Sequence, residues 1–354
     1  MKKSLLAVAF LGAFAGVAHA QTAVQIYGTV DAGLIKRSDQ TLAIGKRVNN
    51  TLGFKGTEDL GNGLKALFQL EIRYEPDTGT LEQGAGGVQR PLSQGQSRVG
   101  LQGDFGMVRL GRGLTAFQET AAGFEPFHGI PSPAGFQTDL SVAGYTSDPL
   151  GMVANSTNRF SNALFYNSPE MSGFQINTTI GTKEANQNAA LVGRGSVSAP
   201  QFPANWEAPV NPFSVSTTYK NGPVAAMLAY ERNAVETKLI SAAASMFATP
   251  ELKLMGSYTR QDRNTTVLAN PKTKAWVLGA NYTMGPGKLM AGYGQKSPDG
   301  VAKTKQFSLG YEYSLSKRTY LYVDASRKQA NVNLATPGVT TKVNHYDVGI
   351  SHAF

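Results

Sequence analysis

Few residues of this chain are arranged for bond-making chemistry. Its four histidines, His19, His128, His345 and His352, are scattered, with no His-Glu-x-x-His run, no paired metal-ligand spacing and no Gly-x-Ser-x-Gly elbow. Gly45-Lys46-Arg47 and Gly287-Lys288 lack the rest of a phosphate-cradling loop. The absence of cysteine removes disulfides, thiolate metal sites and thiol nucleophiles. No catalytic group, cofactor or metal is therefore expected, and a hydrolase is the weakest of the readings kept. What the chain does hold is a set of arginines, Arg47, Arg73, Arg98, Arg112 and Arg159, set in or beside segments that alternate in polarity. A guanidinium stays charged at any physiological pH, so arginines gathered on one surface bias the traffic of ions past it. Whether they are gathered depends on the elements that carry them.

Those elements read as strands. Phe307, Leu309, Tyr311, Tyr313 and Leu315 share one parity, while Gln306, Ser308, Gly310, Glu312 and Ser314 share the other. The same division runs through 213–220, 174–181 and 275–282. Many segments reach about ten residues, the length with which a tilted strand crosses hydrocarbon, and aromatics recur near their ends. Seven tight turns, among them Glu58 to Gly63, Gly103 to Gly106 and Gly285-Pro286-Gly287, alternate with eight longer polar links. Fifteen connections join sixteen antiparallel strands. Short turns on one side and long loops on the other are the layout of a closed transmembrane β-barrel; a water-soluble all-β fold is the alternative.

The first twenty residues stand apart. Met1-Lys2-Lys3 is basic, Leu5 to Val17 is apolar, and Ala18-His19-Ala20 is a small-residue cleavage pattern, so residues 1–20 are expected to be a removed export signal and 21–354 a single barrel domain. Removal takes two lysines and lowers the formal charge from +9 to +7. The basic residues are spread through strands without an aromatic-interleaved patch, so no nucleic-acid partner is expected. No later window approaches the ~18 apolar residues of a membrane-crossing helix.

Parity assigns the arginines. Leu64, Ala66, Phe68, Leu70 and Ile72 on the apolar face put Gln69, Glu71 and Arg73 on the polar one. Val99 and Leu101 turn Arg98 inward, Val108 and Leu110 do the same for Arg109, and Leu164 and Tyr166 place Arg159 inward. Leu52 and Phe54 put Thr51 and Arg47 on the polar side, and Arg112 stands where its strand enters a long connection. That connection, Leu114 to Asn158, lacks alternation and is too long for an idle link. Its carboxylates Glu119, Glu125 and Asp139 are candidates to face the arginines across a lumen.

Val24 to Gly33, Leu52 to Ala66, Arg98-Val99-Gly100-Leu101 with Phe105-Gly106 and Leu110-Gly111-Arg112, and Asn162 to Pro169 resemble the general porins of β-proteobacteria, the Neisseria, Bordetella and Burkholderia type. The terminal His352-Ala353-Phe354 resembles the aromatic end these proteins present to the β-barrel assembly machinery. The resemblance implies a sixteen-stranded homotrimeric barrel in the outer membrane, surrounded by its lipids and lipopolysaccharide. It implies passive diffusion of ions and small hydrophilic solutes, with the third long loop folded into the lumen. Arg73, Arg98 and Arg159 match inward basic positions of the family. The family carries an arginine where Thr51 stands, so one charge is missing here or moved to Arg47 or Lys46. Glu125-Pro126-Phe127 resembles the family's loop tip in a different residue order. An anion-leaning pore with Arg73, Arg98, Arg112, Arg159 and Arg47 at its constriction is the reading this supports; a channel selective for organic acids, phosphate or sugars is its rival.

Overall fold

The computed structural model describes residues 23–84, 88–151, 156–183, 210–263, 272–331 and 340–354. The expected export signal lies outside the described residues, as does most of the links at 184–211, 262–271 and 331–340.

Seventeen strand segments follow one another: β1 (Ala23–Arg37), β2 (Ala43–Gly45), β3 (Thr51–Gly61), β4 (Leu64–Arg73), β5 (Ser97–Gly103), β6 (Gly106–Leu114), β7 (Arg159–Asn167), β8 (Phe174–Gly181) and β9 (Phe213–Asn221). The second half comprises β10 (Val224–Arg232), β11 (Lys238–Phe247), β12 (Leu252–Asp262), β13 (Lys272–Met284), β14 (Gly287–Pro298), β15 (Thr304–Ser314), β16 (Thr319–Asn331) and β17 (Thr340–Ala353). β2 and β3 pair with opposite ends of β1, Ile44 against Leu34 and Phe54 against Ile26, and so form one interrupted stave. Sixteen staves result. β1 pairs antiparallel with β17, Asp31 opposite Ser351, and closes the sheet on itself. Closure leaves no free edge, which is what a bilayer demands of a sheet. The β3–β4 hairpin turns at Asn62-Gly63, both at positive φ, the geometry that matches strand twist and that Asn-Gly adopts without strain.

Polarity decides what surrounds the barrel. On β15 the apolar Phe307 is 52% exposed while its neighbours Gln306 and Ser308 are buried. Burying polar side chains and exposing apolar ones reverses the arrangement of a protein in water and suits a sheet wrapped in hydrocarbon around a polar interior. Two aromatic girdles bound the apolar band: Tyr258, Trp276, Tyr293, Phe307 and Tyr346 toward the long connections, Phe105, Phe174, Phe247, Tyr282 and Tyr313 toward the short turns. Among the described residues no helix is long and apolar enough to cross a membrane. At the carboxyl end, Phe354 exchanges two backbone hydrogen bonds with Gly28 and lays its ring over that glycine.

The connection after β6 is folded rather than extended. It opens with a short helix, α1 (Ala116–Ala121), whose first turn is capped by the Thr115 hydroxyl accepting from the Gln118 amide. Its apolar residues form two clusters against the polar-parity face of the sheet. Phe117, Phe124, Val142 and Tyr145 pack on Met227, Ala229, Leu239 and Ala243; Phe127, Ile130, Phe136 and Leu140 pack on Val277 and Met290. The compact apolar core thus lies between this connection and one side of the wall.

Candidate functional site

The long connection is held at its ends and along its middle. Glu231, fully buried on β10, accepts hydrogen bonds from Thr115 Oγ1 at 2.6 Å and Ser214 Oγ at 2.8 Å, and fixes the point where the chain leaves β6. Farther on, Thr259 Oγ1 donates to the Ser141 carbonyl at 2.7 Å and Asn233 Nδ2 to the Thr146 carbonyl at 2.9 Å. In the middle, Pro126 and Phe136 lie over Gly279 and Gly292, where a side chain would push them away: a Cβ at Gly292 would stand 2.6 Å from the Phe136 ring. Small residues on β13 and β14 are what let the connection lie close to the wall.

Glu125 is enclosed there. Burial raises its pKa to about 7, opposed by hydrogen bonds from the backbone amides of Gly129 and Phe136. His128 beside it, at φ +55°, is pushed down to about 4 by burial and by the nearby Lys288. Asp139 goes the other way. Burial alone would raise it, but Lys296 and Lys328 outweigh burial and hold it at about 2, with Lys328 Nζ at 2.6 Å.

Arginines occupy the opposite wall in two groups. Arg98 donates through Nε and Nη2 to Gln69 Oε1 at 3.1 Å and approaches Glu119 at 3.4 Å; Arg109 meets the other oxygen of Glu119 at 3.4 Å and bonds Asn167. Glu119, on α1, therefore spans two guanidiniums. The second group comprises Arg73, Arg90, Arg112 and Arg159. Arg159 donates to Ser156 Oγ at 2.6 Å and Asn158 Oδ1 at 2.8 Å, and Arg112 to Ser161 Oγ at 2.7 Å and the Gln94 carbonyl at 3.3 Å. Arg73 and Arg90 approach Glu82 at 4.0 and 3.8 Å. Glu82 is itself held below the usual carboxylate range: its burial is outweighed by Lys46, at 3.0 Å, and these two arginines. Arg159 feels the fields of Arg73 and Arg112 directly, opposed by Glu71 and Glu82. A cleft of about 180 Å³ opens beside the connection, lined by Arg73, Glu82 and Arg90 on one side and by the connection's Gln118, Gln137, Tyr145 and Asn158 on the other.

Set beside the sequence expectations, the placement differs in detail. Arg73, Arg112 and Arg159 come together; Arg98 does not join them and pairs instead with Arg109 across Glu119. Parity alone would send Arg112 to the apolar face, but a bulge between Gly111 and Gly113, with Gly111 at φ +128°, turns it to Ser161 and Gln94. Arg47 is sealed, 1% exposed, and takes no part in the cleft. In the interruption between β2 and β3 its amide donates to Asp31, its guanidinium reaches Asp324 and Glu312 at 2.6 Å, and Tyr322 stacks against it 5.0 Å away. Burial would lower its pKa, yet the two carboxylates outweigh burial and raise it. Glu119 faces the arginines as expected, Asp139 is taken by lysines, and Glu125 is spent on the connection's own backbone. Arg90 and Glu82 were not foreseen, because they sit in the polar link after β4, where no periodicity assigns a facing direction.

The chain matches the family model described as Gram-negative porin over residues 7–333. It is 31% identical to outer membrane porin protein 32 of Delftia acidovorans over the full length of both chains, and 28% identical to an outer membrane porin protein of Bordetella pertussis, again over both full lengths. Major outer membrane protein P.IA of Neisseria meningitidis serogroup C is 27% identical, over 86% of this chain and 81% of that one. Among solved structures, the anion-selective porin from Comamonas acidovorans superposes with a TM-score of 0.73 at 24% identity, covering 94% of this chain and all of the other. With its polar interior, apolar exterior and sixteen closed staves, the chain belongs to the Gram-negative porins and is a channel of the outer membrane.

Proposed function

We propose that the channel narrows at the cleft between the long connection and Arg73 and Arg90, with Arg112 and Arg159 close behind, and that it passes ions and small hydrophilic solutes passively with a modest preference for anions. The connection lies in the lumen on this reading, because its backbone bonds to the side chains of Ser214, Ser216, Thr259 and Gln306, all on the polar face of the strands. The row of four guanidiniums carries the reading. Glu71, Glu82 and Asp148 oppose them, leaving an excess of one positive charge in a narrow, partly desolvated passage. One net charge favours anions without excluding cations. The name of the Comamonas neighbour points the same way.

Residues 1–20 act as the export signal and the barrel works as a homotrimer on this reading, the latter in keeping with the family resemblance. Catalysis is not part of it. Ser132, His345 and Asp347 do meet, but Ser132 Oγ and Asp347 Oδ2 both face the same ring nitrogen, at 3.3 and 2.9 Å, and all three residues are buried. A nucleophile-base-acid relay needs the two partners on opposite ring nitrogens. The trio anchors the connection to β17, helped by the Ser132 amide donating to the Arg47 carbonyl.

Swelling of vesicles containing the full chain, in sugars and organic acids of graded size, tests the proposal. Rates that fall smoothly with size, without saturation, and favour anionic over cationic solutes of equal size support it. Saturation by one solute class would replace it with a selective channel, and no swelling with folded protein would reject it.

A further inference from the structure

The cleft beside the long connection has one charged wall and one neutral wall. Arg73 and Arg90 face it from the barrel side together with Glu82, and Glu82 is already committed: Lys46 Nζ stands 3.0 Å from one of its oxygens and Gln94 Nε2 donates to the other at 2.9 Å. The connection's wall is built of amides and hydroxyls, Gln118, Gln137, Thr138, Thr157 and Asn158 among them, and no charged side chain of the connection lines it. Yet residues 115–158 hold four carboxylates and no lysine or arginine. Each carboxylate is turned elsewhere. Glu119 spans Arg98 and Arg109, Glu125 accepts from the amides of Gly129 and Phe136, Asp139 is held between Lys296 and Lys328, and Arg112 feels the field of Asp148.

A solute passing through must present itself to two unlike walls. Its carboxylate meets guanidiniums on one side, and its hydroxyls or amides exchange hydrogen bonds with amides and hydroxyls on the other. An ammonium finds no counter-charge on the connection and is repelled from the arginine side. A charge that sheds water without a charged partner loses more than a neutral polar group making the same hydrogen bonds. An amino acid carries both groups side by side, so what its carboxylate gains against the arginines its ammonium gives back. We infer that the cleft discriminates against zwitterions: it passes small hydroxylated monocarboxylates best, their neutral amides next and the corresponding amino acids least. The inference rests on the cleft being the narrowest point of the channel, as in the proposed function. What selects is the lack of a carboxylate on the connection's wall, and Thr138 and Thr157, both exposed and both lining the cleft, are the positions at which one could be supplied.

The test uses the full chain in vesicles at neutral pH and zero membrane potential, and follows the efflux of three solutes of equal size. These are threonine, 2,3-dihydroxybutyrate, in which a hydroxyl replaces the ammonium, and the amide of that acid. In wild type the amide is expected to leave about threefold faster than threonine, the effect of one partly solvated charge. The variant T138E/T157E is then compared with T138Q/T157Q, which has the same bulk without the charge. Threonine is expected to gain about threefold on the amide in T138E/T157E relative to T138Q/T157Q, because its ammonium then has a partner. Wild-type threonine that keeps pace with the amide, or an amide-to-threonine ratio that is the same in the two variants, overturns the inference. The acid-to-amide ratio reads the anion preference separately, so an acid no faster than its amide counts against the proposed function and leaves the threonine comparison standing.

Discussion

Glu231 on β10 and Thr115 just past the end of β6, 116 residues apart in sequence, are joined by a hydrogen bond of 2.6 Å, and this bond sets where the long connection leaves β6. The same carboxylate oxygen takes Ser214 Oγ, so one buried group organises three elements. A buried carboxylate with two hydroxyl donors contributes about 1.5–3 kcal/mol per charged hydrogen bond. The double variant Thr115→Val with Glu231→Gln is expected to loosen the connection by an amount of that order while the barrel stays closed. Single-channel records would show larger open-state noise; a trace as quiet as wild type would mean that the apolar clusters alone hold the connection.

Two titrating groups give the docked connection a pH window. Glu125 ionises near 7 when docked, above the ordinary carboxylate value, so docking loses stability as pH rises from about 4.5 through about 7. His128 has its pKa lowered to about 4, so docking loses stability as pH falls from about 6.5 toward about 4. The two opposite slopes cancel between about pH 4.5 and 6.5, so stability should be level there and fall on either side. Proteolysis of the connection as a function of pH measures it. Glu125→Gln should flatten the alkaline limb, and His128→Asn, which keeps a residue tolerant of positive φ, the acid limb. Single-variant profiles as level as wild type between pH 4.5 and 6.5 would show that neither group is held as described.

Gly292 has room for no side chain. A Cβ there would stand 2.6 Å from the Phe136 ring and 2.9 Å from Pro126. Gly292→Val should lift the middle of the connection off β14 at a cost of about 1–3 kcal/mol and push it toward the arginines. Conductance should fall. An unchanged conductance with an unchanged proteolysis rate would contradict the close packing.

Much of this was legible beforehand, and the rest failed for identifiable reasons. Strand alternation such as Phe307 against Gln306 is a local property that sheet geometry enforces everywhere, so the staves, the hairpin turns and the long links emerge from sequence. Arg112 is placed by its position at the mouth of the long connection and not by parity, which a one-residue bulge cancels from that point on. The α1 helix left a trace, Thr115-x-x-Gln118, which matches the start of a capping box, but a search for alternation passes over it. Val277 reads as lying on the polar-parity face of its strand and does; that it meets an apolar connection instead of water depends on contacts between residues more than a hundred apart. Arg47 is sealed by Asp31, Glu312 and Asp324, a gathering of four distant segments that no local pattern records.

Glu119 divides its two oxygens between Arg98 and Arg109, each at 3.4 Å. Glu119→Gln removes one negative charge from beside the passage and leaves both guanidiniums in place. Anion preference should rise, by about twofold in the chloride-to-potassium permeability ratio at moderate salt, and the increase should shrink as salt screens the field. A ratio that stays constant or falls would place this pair outside the conducting path.

The central claim is that Arg73, Arg90, Arg112 and Arg159 set the field at the narrowest point. The direct measurement is the reversal potential of single channels in a planar bilayer under a tenfold KCl gradient, for wild type and for Arg73→Ala, Arg159→Ala and Arg47→Ala. A chloride-favouring potential that moves toward zero in the first two variants, and moves less in Arg47→Ala, whose guanidinium lies away from that group among Asp324, Glu312 and Tyr322, is the expected result. A cation-favouring wild type, or a potential indifferent to Arg73 and Arg159, would contradict it.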